Sequence, residues 1–131
     1  MDRDKFEAIV LRSLDNLPAE FKERLENVDV VVEDLPATAL LKKMRLRNPL
    51  QLLGLYQGVP QTRRGSGYTL VLPDKITLFQ KSIEARCRNS EKEIEHEIEA
   101  VVKHEVAHHF GIGDARLLHI EAEKRRRRRS D

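Results

Sequence analysis

The stretch that most constrains this chain is HEVAHHFGIGD, which runs from His104 to Asp114 and carries two histidines at four-residue spacing. Positions four apart lie on one face of an α-helix, so His104 and His108 can present two imidazoles to one point. Two neutral imidazoles suit zinc, which is borderline-soft and favours tetrahedral geometry. Glu105 lies about 100° around the helix from His104, where its carboxylate can reach a water on the metal without binding the metal. That is the general-base position in zinc-dependent hydrolysis.

A catalytic zinc site takes three protein ligands and leaves the fourth position for water, so the two histidines need a partner. Gly111 allows a sharp turn after the helix because glycine accepts positive φ, and Asp114 can then return towards the histidines. Asp114 also suits the N-cap of a following helix. His119 is the rival third ligand, with His109 and Glu121 behind it. The alternative for the whole stretch is a surface helix that carries two histidines by chance.

The motif lies at the end of a long predicted helix that runs from Glu91 to Phe110. Ser90 and Glu93 have the form of a capping box, with serine at the N-cap and glutamate three positions later. His96 lies too far along the helix axis to share a metal with His104, and we expect it to be exposed. Apolar residues at helical spacing form a stripe that should be buried: Ile94, Ile98, Val101, Val102 and Val106.

The rest of the chain alternates between helical and extended patterns. Apolar periodicity and helix-start signals predict helices at 4–17, 18–25, 37–47, 82–88 and 115–124. Apolar runs that are alternating or rich in β-branched residues predict strands at 28–33, 50–57 and 75–79. We expect the first of these strands to be buried on both faces. Glycine and proline mark a loop at 58–67.

Composition indicates one globular domain. A chain of 131 residues with 40% hydrophobic and 35% charged residues can bury a single core. No apolar run approaches the length that spans a membrane, and the N-terminus lacks a signal-peptide pattern. Cys87 is the only cysteine, so an internal disulfide is impossible and the residue is expected to be a packed thiol. These features predict a cytoplasmic protein without a membrane partner.

The positive charge is concentrated at the C-terminal end. Residues 124–131 hold six of the 24 basic residues and one of the 22 acidic residues, which gives this tail a formal charge of +5. Residues 1–123 therefore carry −3, and we assign them to the folded domain. The tail has the charge density of a nucleic-acid or anionic-surface contact, but no aromatic residues interleave it for base stacking. The alternative is a solvated, disordered tail.

The motif resembles that of the zincin metallopeptidases, and its GxxD extension resembles the aspartate-liganded branch. Chain length, GLYQGVP at 54–60 and LPDKITLFQ at 72–80 resemble the minimal bacterial zincin-like metallopeptidase family over roughly residues 50–118. The resemblance implies that His104, His108 and Asp114 bind Zn²⁺ and that Glu105 is the base. It also implies a compact α+β domain with a small twisted sheet and the active-site helix packed beneath it. The chain departs from larger members by lacking a methionine downstream of the helix.

The reaction implied by this resemblance is hydrolysis of a peptide or protein substrate. In larger zincins the strand before the active-site helix is the sheet edge that pairs with the substrate, and the resemblance places that role at 75–79. Candidates for stabilising the oxyanion are His109, Tyr56, Tyr68 and Arg116. Two other functions stay open: a metal-dependent hydrolase associated with nucleic acid, and an inactive zincin-fold binding module.

Overall fold

The computed structural model describes residues 1–58, 72–88 and 90–112. Helices α1 (Arg3–Asp15) and α2 (Ala19–Arg24) precede strand β1 (Val28–Glu33) and helix α3 (Thr38–Lys43). One turn of 3-10 helix at Pro49–Gln51 leads into strand β2 (Gly54–Gln57). Strand β3 (Asp74–Phe79), helix α4 (Gln80–Cys87) and helix α5 (Glu91–Phe110) complete the described part. The predicted α+β class is confirmed, since one small sheet packs with several helices.

Strand β3 lies in the middle of the sheet, whose strand order is β1-β3-β2. It pairs in parallel with β1, from Val28 opposite Asp74 to Glu33 opposite Phe79. It pairs antiparallel with β2, from Gly54 opposite Leu78 to Gln57 opposite Lys75. The prediction that 75–79 forms the cleft-lining edge is therefore wrong. Among the described strands, β2 has the outer position on the side of α5, where its Tyr56 contacts Glu105.

The burial of the strands follows from this order. Residues Ile76 to Phe79 of β3 are all buried, because a strand on each side and packing on both faces leave no solvent face. β1 was predicted to be buried on both faces, but its residues are half-buried or exposed, with Asp29 and Glu33 the exposed ones. That prediction is wrong because β1 lies at the other outer position of the described sheet.

Helix α5 organises the core. Its bounds agree with the sequence prediction, and the Ser90 hydroxyl accepts a hydrogen bond from the Glu93 backbone N–H at 3.4 Å. The predicted stripe is buried, and His96 is exposed as expected. The stripe packs with one cluster from α1, α2, β3 and α4 that includes these side chains: Phe6, Ile9, Phe21, Ile76, Leu78, Ile83 and Cys87. Burial of such apolar surface is the main source of the domain's stability.

Two predicted elements are shorter than expected. The helix expected at 37–47 occupies only Thr38–Lys43, and Arg45 follows it with a φ of 60°. The strand expected at 50–57 begins at Gly54, because Asn48 caps a turn of 3-10 helix by accepting the Leu50 N–H at 3.0 Å. The predicted loop at 58–67 and the final helix at 115–124 fall almost entirely outside the described residues. No described helix is both long and apolar enough to cross a membrane.

Gly54 allows β2 to approach α5 closely. A Cβ atom at this position would lie 2.6 Å from Val101 Cγ1 and 3.1 Å from the Thr77 carbonyl oxygen. Both distances are too short for ordinary carbon contacts, so a side chain here would push the strand away from the helix. Because glycine has no side chain, β2 can lie this close to the helix that carries the motif.

We expect Gly54→Ala to lower the free energy of unfolding by about 1–3 kcal/mol, the usual cost of overpacking. Val101→Ala removes Cγ1, the nearest atom to the new Cβ. The double variant should therefore be less destabilised than the sum of the two single variants. Urea unfolding of the four proteins measures this coupling, and strict additivity would contradict the proposed contact.

Candidate active site

The two motif histidines lie on the solvent side of α5. His104 and His108 are exposed, whereas Val102 and Val106 on the opposite stripe are fully buried. Burial of that stripe fixes the rotation of the helix about its axis, so both imidazoles are presented one turn apart on an accessible face. The structure thus brings together the two nitrogen donors that the spacing predicts.

Glu105 points between the helix and the sheet. Its carboxylate is half-buried, and Oε1 accepts a hydrogen bond from the Tyr56 backbone N–H at 3.0 Å. The Phe79 N–H donates to the Leu53 carbonyl at 2.9 Å. Backbone hydrogen bonds alternate along an antiparallel pair of strands, so the N–H and C=O groups of Leu53 and Leu55 point towards β3. Those of Tyr56 point away from β3. The carboxylate therefore lies at the outer edge of β2.

The side chain of Tyr56 is held by two other elements. Its hydroxyl donates to Asp74 Oδ2 at 2.6 Å, and its ring stacks on His109 with centroids 3.9 Å apart and planes 22° apart. His109 Nε2 lies 3.9 Å from the same Asp74 oxygen. Burial, then the hydrogen bond to Asp74 and its negative charge, raise the pKa of Tyr56 above the usual value. The hydroxyl therefore stays protonated and donates to Asp74 at neutral pH.

The last turn of α5 is also tied to α2. Phe110 meets the rings of Tyr56 and His109 edge-on, at 6.0 and 4.8 Å between centroids. The guanidinium carbon of Arg24 lies 5.0 Å from the centre of the Phe110 ring, in a cation–π contact. These contacts restrain the end of the helix that carries His108.

The chain reverses directly after α5, as the sequence predicts for Gly111. This glycine has a φ of 69°, and its N–H donates to the Ala107 carbonyl. The Ile112 N–H donates to the same carbonyl at 2.8 Å. A left-handed residue followed by this second bond is typical of a Schellman helix end, in which the chain turns back on itself. Ile112 then packs against the core.

A groove of about 410 Å³ lies beside the motif, between β2 and the middle of α5. Apolar lining comes from Leu53, Gly54 and Val101, and the same groove reaches His104 and Glu105. An ion pair between Arg86 and Glu97 (Nε to Oε1, 3.2 Å) also lines it. Glu97 precedes His104 by two helical turns, about 10 Å along the axis. The groove therefore extends from the motif towards the N-terminal half of α5.

Three of the four predicted site residues lie in the described part of the chain: His104, Glu105 and His108. Asp114 lies outside the described residues, as do its rivals His119 and Glu121. Within residues 1–58, 72–88 and 90–112, no group of three histidine, cysteine or acidic side chains could hold a metal.

Sequence reasoning missed the main partner of Glu105. The sequence indicates Tyr56 only as an oxyanion donor through its hydroxyl, but that hydroxyl donates to Asp74 and the backbone N–H of Tyr56 donates to the Glu105 carboxylate. A backbone contact leaves no mark on residue type, so no sequence signal could have shown it. Two other oxyanion candidates, Tyr68 and Arg116, lie outside the described residues.

The part of the chain that contains β1 to α5 and the motif resembles a known protein family. A family model described as zincin-like metallopeptidase matches residues 25–124. The chain belongs to this family. No curated protein matches the chain. Membership in the zincin-like metallopeptidases supports hydrolysis of the metallopeptidase type and a requirement for zinc at the level of the family. Two exposed imidazoles one turn apart, beside a carboxylate that binds a backbone N–H, fit zinc by donor chemistry.

Proposed function

We propose that this zincin-like protein is a zinc-dependent metallopeptidase, in which His104, His108 and Asp114 bind the metal and Glu105 is the general base. The observation that carries the proposal is the Glu105 carboxylate, which a backbone N–H fixes next to the exposed His104 and the groove. A surface helix with two chance histidines would need no such restraint on the intervening glutamate.

The residues divide the chemistry between them. Zinc bound here would lower the pKa of a coordinated water and polarise the scissile carbonyl. Oε1 of Glu105 accepts the Tyr56 N–H, and the second carboxylate oxygen, Oε2, takes no part in that hydrogen bond. Oε2 is therefore the atom that takes the water proton and passes it to the leaving amine.

The substrate is proposed to be an extended peptide that lies along the outer side of β2. Gly54 lies two positions before Tyr56 in β2, so its backbone N–H and C=O groups also point away from β3. Such groups can hydrogen-bond to an added strand, while the groove takes a side chain from it. The groove lining combines Leu53 and Val101 with the Arg86–Glu97 ion pair, so it offers both apolar and polar contacts to that side chain.

Removal of the metal tests this function. We expect the zinc-loaded protein to cleave an unstructured protein such as casein and to lose that activity in 1,10-phenanthroline. The non-chelating isomer 1,7-phenanthroline is the matched control and should have no effect. Activity should return on adding one equivalent of zinc per chain. Cleavage that survives chelation, or cleavage of RNA with none of casein, would contradict the proposal.

A further inference from the structure

We propose that Asp74, Tyr56 and His109 act as a brace that positions the Glu105 carboxylate. None of the three is a catalytic residue in this inference, which rests on the proposed function of Glu105 as the base. The brace joins three elements at one point: β3 through Asp74, β2 through Tyr56, and α5 through His109.

The first argument for the brace is the spacing on α5. Glu105 and His109 are four residues apart, so they lie on the same face of the helix in successive turns. Glu105 accepts the backbone N–H of Tyr56, and His109 stacks on the ring of the same residue. The helix face that carries Glu105 and His109 therefore holds Tyr56 at two points, its backbone N–H and its ring. These two contacts fix the position of β2 relative to the Glu105 carboxylate.

The second argument is the position of Tyr56 in the strand. β2 has only four residues, and the outward N–H of Tyr56 takes no part in the ladder with β3. Asp74 lies two positions along β3 from Ile76, the residue opposite Tyr56, which is within diagonal reach of a long side chain. Its carboxylate accepts the hydroxyl at 2.6 Å, so it holds Tyr56 from the sheet side.

The consequence for the reaction is restricted freedom of the base. A glutamate side chain on a helix surface has several rotamers, and only some bring its carboxylate to the site. The N–H bond to Oε1 selects one of them and leaves Oε2 available to take the proton. If the brace is weakened, the orientation of Tyr56 relaxes and a smaller fraction of molecules has Glu105 in the reactive position.

Turnover kinetics test the brace. Tyr56→Phe removes the hydroxyl and keeps the ring, and Asp74→Ala removes the acceptor. We expect each to lower kcat about five- to tenfold, the scale of one hydrogen bond's net contribution. KM should change less than twofold and zinc content should stay at one per chain. The double variant should be no worse than Asp74→Ala alone, because both changes break one interaction. Asp74→Asn keeps an acceptor oxygen and should recover part of kcat.

Ser82→Ala is the matched control. It deletes a buried hydroxyl that donates to the Pro49 carbonyl at 3.1 Å, in α4 and apart from the motif. It should lower the melting temperature without changing kcat at a temperature where the protein is folded. A fall of kcat in Ser82→Ala as large as in Tyr56→Phe would show that the effect is general destabilisation, and would overturn the brace.

A measurement on the zinc-free protein separates the brace from the proposed function. The amide resonance of Tyr56 in a ¹⁵N–¹H spectrum should shift in Glu105→Ala, because its acceptor is gone. Asp74→Ala should shift it in the same direction, and Ser82→Ala should leave it in place. If Asp74→Ala leaves this resonance unchanged while Glu105→Ala moves it, the brace is wrong whatever the activity. If the resonance moves as expected but no protein cleaves peptides, the brace stands and the proposed function fails.

Discussion

Replacing Glu105 with glutamine should leave one zinc ion per chain in place while peptide hydrolysis falls roughly a hundredfold or more, as loss of a general base allows. The amide of glutamine has nearly the same shape as the carboxylate, and its oxygen can still accept the Tyr56 N–H. The geometry is therefore kept, and only the capacity to take a proton is removed. Zinc content by atomic absorption and kcat on a peptide substrate measure the two effects separately.

Glu95→Gln is the control for this change. Glu95 lies on the same helix and is also half-buried, but its carboxylate accepts the Asn16 side-chain amide at 2.9 Å and pairs with Arg12. The same substitution there should leave kcat and zinc content unchanged. If Glu105→Gln loses zinc, its carboxylate is a ligand rather than the base. If it keeps both zinc and full activity, another group takes the proton and the mechanism fails.

The parts of the fold that could be predicted are those set by local chemistry. The bounds of α5 follow from a serine that caps its first turn, an apolar stripe at helical spacing and a glycine that ends it with positive φ. β1 was predicted at its observed bounds because a run of β-branched residues is short and flanked by turn-forming residues. Each of these signals lies within the element that it predicts.

The order of the strands could not be predicted in the same way. Alternation in β3 indicates two faces, but it does not say whether a neighbour lies on one side of the strand or on both. The central position of β3 depends on β1 and β2, which are distant in sequence. The link between Glu105 and Tyr56 likewise joins residues 49 positions apart through a backbone atom. The strand order and the Glu105–Tyr56 link both arise from packing between distant parts of the chain. The sequence predicts only those residues of the candidate site that lie close together within the motif.

The third zinc ligand is predicted to be Asp114, and Asp114→Ala should therefore weaken zinc binding by orders of magnitude. The described residues offer no third ligand of the histidine, cysteine or acidic type close to the two histidines. Residues 59–71 contain none of these residue types. Among the remaining residues, 113–131, the candidates in order are Asp114, His119, Glu121, Glu123 and Asp131.

The end of α5 favours the first of these candidates. At Gly111 the chain turns back in a Schellman-type end, and Ile112 already packs against the core. Asp114 follows only two residues later, so little chain is needed to bring its carboxylate to the solvent side of the helix, where His104 and His108 lie. Zinc affinity measured with a competing chelator in Asp114→Ala and His119→Ala decides between the two ligands.

The competing role of Asp114 as a helix N-cap predicts a different result. Loss of a cap should cost only about 1 kcal/mol of folding stability, and zinc affinity would then stay near that of the parent. His96→Ala is the control for a histidine that lies on α5 but is too far along the axis to reach the metal. If Asp114→Ala binds zinc like the parent while His119→Ala does not, the aspartate assignment is wrong and His119 is the third ligand. If both variants retain parental affinity, the third ligand is neither Asp114 nor His119, and the later acidic residues Glu121, Glu123 and Asp131 are the next candidates.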